Sequence, residues 1–413
     1  METMPKPHSR TLLKRPQLPV ELPQTPFYLY DENILRSLAD SFLKAIDNDP
    51  DIVLHYAIKA NSQAAILKIF KEYGFGADVV SGEELKWVRK LGYSSNKIAY
   101  SGVGKSEEEL KAAVEEEIAL LIVESIEEYK ELVDIAKLMP SKKLRIGMRF
   151  NPNLNIKTHP YIATGLWDHK FGMAREEVLA LLKIQRPENL KIEALSLHLG
   201  SQIFEYGVFY DALEELLSLA KECGHRFPVL DVGGGLGVDY HNPYQAPDFE
   251  EYGKFLKTAK KKWAELHTGL DIQVYSECGR ALVSQAGFLV TKLIRVKRNP
   301  KKNFAIVDAS MTELLRPALY GAFHKIEKIP GQFDTATEVY DVVGPVCESG
   351  DFLAEKVALP LLDKGDLLWV TCAGAYGFVM SSTYNMRALV AEYMLSNGAL
   401  KCLRNSHRPW EIE

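Results

Sequence analysis

The chain has 413 residues, 46% of them hydrophobic, and a formal net charge of −5. That length suits two domains of the usual size, about 100–250 residues each, and the slight acidic excess argues against nucleic acid as the main partner. Five scattered cysteines (Cys223, Cys278, Cys347, Cys372, Cys402) form no CxxC and no metal-ligand spacing, as expected of free thiols in a reducing cytosol.

Residues 1–26 are Pro-rich and mildly basic and read as an extended arm without the apolar stretch of a signal peptide. No apolar run is long enough to span a membrane, so a cytoplasmic protein is expected. Phe27–Tyr30 reads as a short lone strand that can pair with a later β domain, and a helix is predicted over Asp31–Asp47. A regular alternation follows. Strand-like runs are Val53–Ile58, Ala77–Val80, Lys97–Ser101, Ala119–Val123, Leu144–Phe150, Ala194–Leu199, Val229–Val232 and Ile272–Ser276. Helical patterns between them are Ser62–Tyr73, Gly82–Leu91, Ser106–Glu116, Ile126–Leu138, Arg175–Lys183, Phe209–Glu222 and Phe249–His267, and Ser106-Glu-Glu-Glu has the form of a capping box. Eight continuous apolar strands alternating with helices over about 220 residues predict an α/β fold, a (β/α)8 TIM-type barrel, with a doubly wound open sheet as the competing arrangement. After Arg280 the texture changes to short strands broken by Gly and Pro, at Val283–Arg298, Phe304–Val307, Thr337–Val343, Glu355–Ala358 and Leu367–Thr371. An antiparallel β domain over 281–413 is predicted, closed by a final helix at about Asn385–Ser396, with the barrel occupying 27–280.

In a barrel of this kind chemistry gathers at the C-terminal ends of the strands. The first strand ends in Lys59, and the second carries Asp78. The sixth leads to His198 and Ser201, the seventh to Gly233-Gly234-Gly235-Leu236-Gly237, and the eighth to Glu277-Cys278-Gly279-Arg280. By itself a lysine at a strand end is more often a snorkelling side chain, and a buried histidine more often a core residue. Together they suit a Schiff-base amine, a flat ring, a phosphate held by exposed backbone N–H groups and a carboxylate that keeps a pyridinium nitrogen protonated. The glycine run is not a dinucleotide fingerprint, since Val238 and Tyr240 stand where G-x-G-x-x-G needs glycine.

Ten segments stand in order along the chain: HYAIKAN, ADVVSGEEL, NPNLNIKTHPYIATGLWDHKFG, HLGSQ, DVGGGLG, ECGR, RPALYGAFH, GPVCESGD, CAGAYG and YNMR. From Tyr28 to Tyr393 the chain resembles the diaminopimelate decarboxylase family, of the alanine-racemase-like, fold type III class of pyridoxal-phosphate enzymes. The resemblance implies pyridoxal 5′-phosphate as cofactor, with Lys59 as the Schiff-base lysine, His198 stacked on the ring and Glu277 bonded to its nitrogen. Ser201, Gly234, Gly235 and Tyr376 would hold the phosphate, and Asp78, Gly279 and Arg280 belong to the cofactor set. Arg280, Arg316, Tyr320 and Tyr376 would bind substrate, Cys347 would donate a proton, and Glu348 would read the distal ammonium. The resemblance further implies a homodimer with shared active sites, Cys347 and Glu348 coming from the partner subunit. Three departures stand out: Cys278 where the family usually has proline, Glu83 at a usual glycine, and Thr312, near the substrate arginines, where asparagine is frequent.

The activity implied is loss of CO2 from the D-configured centre of meso-diaminopimelate, giving L-lysine. Arg280 and Arg316 offer forks for the distal carboxylate of such a substrate. A decarboxylase of lysine, ornithine or carboxynorspermidine is the nearest rival. A racemase would want a tyrosine where the chain offers Cys347. A non-catalytic, antizyme-like binding protein predicts loss of the lysine or the cysteine, and both are present. The basic runs Lys260–Lys262 and Lys297–Lys302 read as solvated faces, so neither nucleic acid nor membrane is expected as a partner.

Overall fold

The computed structural model describes residues 10–154, 170–329 and 336–411. Within them the chain forms two compact units, one of residues 39–237 and 248–279, the other of residues 10–38, 238–247 and 280–411. Most of the segment NPNLNIKTHPYIATGLWDHKFG lies outside the described residues.

Strand β1 (Phe27–Asp31) belongs to the second unit. The first unit is a closed barrel of eight parallel strands: β2 (Ile52–Ala57), β3 (Gly76–Val79), β4 (Ile98–Tyr100), β5 (Leu120–Val123), β6 (Leu144–Arg149), β7 (Leu190–Ser196), β8 (Val229–Asp231) and β9 (Gln273–Cys278). His55 pairs with Gly76 on one side and Glu277 on the other, which closes the ring. The barrel is therefore the observed form, not the open sheet. Leu120, Ile122, Ala194, Val229 and Tyr275 pack together with Val53 in one core cluster.

Helix starts are set by local chemistry. The side chains of Ser81, Ser106, Ser125 and Asp248 accept from the N–H groups of Glu84, Glu109, Glu128 and Glu251, each such cap stabilising its helix by about 1 kcal/mol. Ser106 and Glu109 form the reciprocal capping box expected from the sequence. Glu83 sits exposed in the first turn of the helix Gly82–Lys90, where an acid suits the helix dipole and needs no unusual backbone angle.

The second unit is built on one nine-stranded sheet. It adds β10 (Gly287–Arg298), β11 (Asn303–Val307), β12 (Ile326–Ile329), β13 (Thr337–Val343), β14 (Phe352–Pro360), β15 (Leu367–Val370), β16 (Ala391–Ser396) and β17 (Ala399–Arg404). The sheet is mixed, not purely antiparallel: β1 runs parallel to β16 and antiparallel to β10, and β11 runs parallel to β13. The expected final helix over 385–396 is absent; a short 3-10 turn at Tyr384–Met386 leads into β16. The reason is turn chemistry. Asn397 and Gly398 both have positive φ (51° and 79°) and link β16 to antiparallel β17 as a tight hairpin, which overrides the helix pattern before it. Among the described residues no helix is long and apolar enough to cross a membrane.

Candidate active site

The turn after β2 carries the amine. Ile58–Ala60 form a 3-10 turn, and Lys59 reaches from it to Asp78 on β3, Nζ to Oδ2 2.5 Å. Asp78 is fully buried and also accepts from Ser101 Oγ at 2.9 Å. A buried carboxylate needs such partners, and the registers of β2 on β3 and of β3 on β4 supply them. Gly279 permits the turn to lie close by, since a Cβ there would meet the Ala57 carbonyl at 3.0 Å and Ala60 Cβ at 2.9 Å.

On the other side of the rim the glycine run lies against the end of β9. Glu277 N–H donates to the Gly233 carbonyl at 2.7 Å, and a Cβ on Gly234 would stand 2.2 Å from the Glu277 carbonyl. Gly234 N–H donates to His198 Nδ1 at 3.2 Å, which leaves the ring proton on Nε2. His198 lies two residues past the end of β7; burial, then Arg149 and Lys59, hold it far below the usual histidine range, so it is neutral. Ser201 is half-buried, in the loop that Ile203 N–H ties to the Gly235 carbonyl at 2.9 Å. Gly235 N–H has no acceptor among the described residues.

Glu277 is buried, and its Oε1 has no hydrogen-bond partner among the described residues. Burial, then the charges of Asp231 and Asp78, push its carboxyl well above the carboxylate range. In this protein alone the surroundings therefore favour the protonated, neutral form. A cation placed beside it would restore its charge.

Several charged residues of this rim were not singled out from the sequence. Asp231, the last residue of β8, accepts from Ser196 Oγ at 2.7 Å and from Gly233 N–H at 2.9 Å, which shapes the start of the glycine loop. Arg149, the last residue of β6, donates to Glu124 at 2.7 Å, and Glu124 also accepts from the N–H groups of Gly102 and Gly172. The available signal was positional: each is a charged residue at or just past the end of an apolar strand, as Lys59 and Glu277 are. Cys278, which replaces the usual proline, is the last residue of β9; burial pushes its thiol up to about 12, so it behaves as a small apolar filler.

The second unit holds another cluster. Arg280 Nη1 donates to the Tyr240 hydroxyl at 2.8 Å, and its guanidinium lies 4.8 Å from the Tyr376 ring centroid. Arg316 lies 4.8 Å from the Tyr240 ring centroid and donates to His324 Nε2 at 2.7 Å. Burial works against ionising Tyr240, but Arg280 and Arg316 outweigh it and bring the phenol below its ordinary value. Tyr320, half-buried at the end of the short helix Arg316–Tyr320, lies near enough to Arg280 to act on its charge.

Cys347 and Glu348 are exposed in this chain. Their loop is rigid at its base: Asp351 accepts from Val346 N–H and Met311 N–H, both at 2.7 Å. Glu348 is hydrogen-bonded to Tyr384, which raises that phenol. Thr312 makes its side-chain hydrogen bonds within a separate polar network. It is buried and bonded to Ser310 (2.6 Å), Glu313 (2.8 Å) and Arg387 (3.1 Å), so its departure from the family pattern bears on that network.

Residues 34–284 match the pyridoxal-binding domain of the pyridoxal-dependent decarboxylases. The chain is 39% identical over 384 residues to diaminopimelate decarboxylase of Aquifex aeolicus, covering 92% of this chain and 89% of that protein. It is 40% identical over 385 residues to that of Vibrio cholerae, with 92% and 89% covered. The chain belongs to the pyridoxal-dependent decarboxylase family, on its diaminopimelate decarboxylase branch. Among solved structures, diaminopimelate decarboxylase from Helicobacter pylori complexed with L-lysine matches with a TM-score of 0.85 at 36% identity, covering 93% of this chain and 94% of that one. The matched range contains all of β2–β9, and so the whole barrel.

Proposed function

We propose that the protein decarboxylates meso-diaminopimelate to L-lysine with pyridoxal 5′-phosphate, the last step of a lysine-forming route. The observation that carries the cofactor reading is the buried Glu277 carboxyl with an unpartnered oxygen. The rim residues fit the group: Glu277 for a protonated ring nitrogen, neutral His198 for a ring face, and the Gly235 N–H with the Ser201 hydroxyl for a phosphate. Tyr376 and Arg280 complete the cofactor set in this reading. When bound, the cofactor supplies a sink for the electron pair left as the carboxylate departs.

The chain's own residues do the rest. Lys59 is the amine that would anchor the cofactor, and Asp78 holds that amine in place in the chain without cofactor. Glu277 carries the negative charge that keeps a proton on the ring nitrogen. Arg280 and Arg316, with Tyr320, take the distal carboxylate through charge-assisted bonds, and Glu348 takes the distal ammonium. Cys347 Sγ returns a proton to the carbon that has lost CO2, a general-acid task open to a thiol.

In this reading Cys347 and Glu348 serve the site of a partner subunit in a homodimer, which accounts for two functional side chains left exposed on a rigid loop. The enzyme is a cytoplasmic one in the same reading. A substrate without a distal carboxylate would leave two buried guanidinium groups facing an ammonium, at a cost of several kcal/mol. Release of CO2 from purified protein with cofactor is therefore expected for meso-diaminopimelate, well ahead of lysine, ornithine and carboxynorspermidine. A preference for any of the last two or for lysine overturns the substrate assignment.

A further inference from the structure

The two substrate-reading arginines are held by residues that have no place in the reaction itself. Arginine can only donate, so His324 Nε2 accepts from Arg316, and the ring proton must lie on Nδ1. Nδ1 in turn faces the Thr371 carbonyl at 2.9 Å, the partner such a proton needs. His324 is fully buried; burial and Arg316 keep it neutral, so the acceptor on Nε2 persists across the working pH range. Its ring meets the edge of Tyr240 at 4.9 Å and 81°. Tyr240 then serves both arginines, with its face beneath Arg316 and its hydroxyl bonded to Arg280 and, at 3.2 Å, to Ser284.

We propose that His324 and Tyr240 are positioning residues that hold the Arg316 and Arg280 guanidinium groups ready for a substrate carboxylate. The inference rests on the reading of those arginines as ligands of the distal carboxylate. The physical gain is preorganisation. A free arginine side chain must lose rotamer freedom when it captures its ligand, and one fixed beforehand by His324 or Tyr240 has already lost it. Because the anchor on Arg316 is a neutral ring and a phenyl face rather than a carboxylate, the guanidinium is oriented without being neutralised, and its charge stays available to an anion. Among the described residues Arg316 forms no ion pair with an acid.

The test is kinetic and uses holoenzyme. His324→Ala is expected to raise the KM for meso-diaminopimelate by about tenfold or more while kcat and the affinity for pyridoxal phosphate stay near wild type. His324→Gln, which keeps an acceptor toward Arg316 and a donor toward Thr371, is expected to restore most of the loss. In an Arg316→Ala background His324→Ala is expected to add nothing, because its effect runs through that guanidinium. Tyr240→Phe keeps the ring beneath Arg316 and removes the acceptor from Arg280; its KM rise is expected to survive in the Arg316→Ala background. If His324→Ala costs as much with Arg316 removed as with it present, or if the cofactor affinity of His324→Ala falls with its KM, the positioning role is wrong. If Arg316→Ala itself leaves KM unchanged, the carboxylate reading fails first, and the two failures are thereby told apart.

Discussion

Glu277→Gln changes one atom's chemistry and almost none of its volume. In the protein without cofactor, burial and the nearby charges of Asp231 and Asp78 favour the neutral carboxyl. A neutral amide of the same shape should then change the stability of the cofactor-free protein by less than about 1.5 kcal/mol at neutral pH, the range of volume-conserving swaps. With cofactor bound the comparison differs. A carboxylate facing a protonated ring nitrogen makes a charge-assisted hydrogen bond worth about 1.5–3 kcal/mol, and the amide cannot carry that charge. At 1.4 kcal/mol per factor of ten, cofactor affinity and turnover together should fall by about 10- to 100-fold. The assay is absorbance titration of cofactor-free protein with pyridoxal phosphate, CO2 release at saturating cofactor, and thermal melting of the cofactor-free form. Unchanged affinity and turnover in a well-folded variant would refute the role given to Glu277. A large fall in melting temperature without cofactor would show instead that the carboxyl is structural.

Other outcomes follow from the same geometry. Lys59→Ala should abolish both the absorbance of covalently held cofactor and CO2 release; turnover retained in protein free of wild type would sink the assignment. Glu84 offers a pH test. Burial pushes its carboxyl from 4.5 to about 7, against the opposing hydrogen bond from Val80 N–H. Between those values the folded state holds a proton that the unfolded chain has released. The stability this contributes is full below pH 4.5 and is lost as pH rises through about 7, by about 3 kcal/mol at most. Glu84→Gln should flatten that part of the pH profile of denaturant unfolding, and an unaltered slope would exclude Glu84 as its source. For the shared site, mixing inactive Lys59→Ala with inactive Cys347→Ala protein and allowing subunits to exchange should recover about a quarter of the wild-type sites, because random pairing gives half mixed dimers with one intact site each. No recovery after demonstrated exchange would place Cys347 in its own subunit's site.

The alternation of apolar strands with amphipathic helices determined the parallel α/β class by itself, because the signal is local; closure into a barrel rather than an open sheet was decided by the pairing of β2 with β9. Each strand must be apolar on both faces and each helix on one stripe, whatever its neighbours. Chain order and the strand ends also brought Lys59, Asp78, His198 and Glu277 to attention, since unusual residues at the ends of buried strands are visible without knowing what they touch. The glycine run was legible as a backbone that something must approach closely. The Asn397-Gly398 hairpin signal was present too, but the apolar pattern before it was read as a helix. Pairing partners are another matter. That Asp78 meets Lys59, that Asp231 takes Ser196, and that Arg149 takes Glu124 depend on which strands stand side by side and in which register. The placement of β1 between β10 and β16 joins residues more than two hundred and fifty positions apart. Nothing local gave His324 or Tyr240 a role: a histidine and a tyrosine in loops become anchors for Arg316 and Arg280 only through the fold of the second unit. A sequence records which side chains can make strong interactions. Tertiary structure decides which of them are buried together, and burial is what turns those possibilities into fixed geometry and shifted charge.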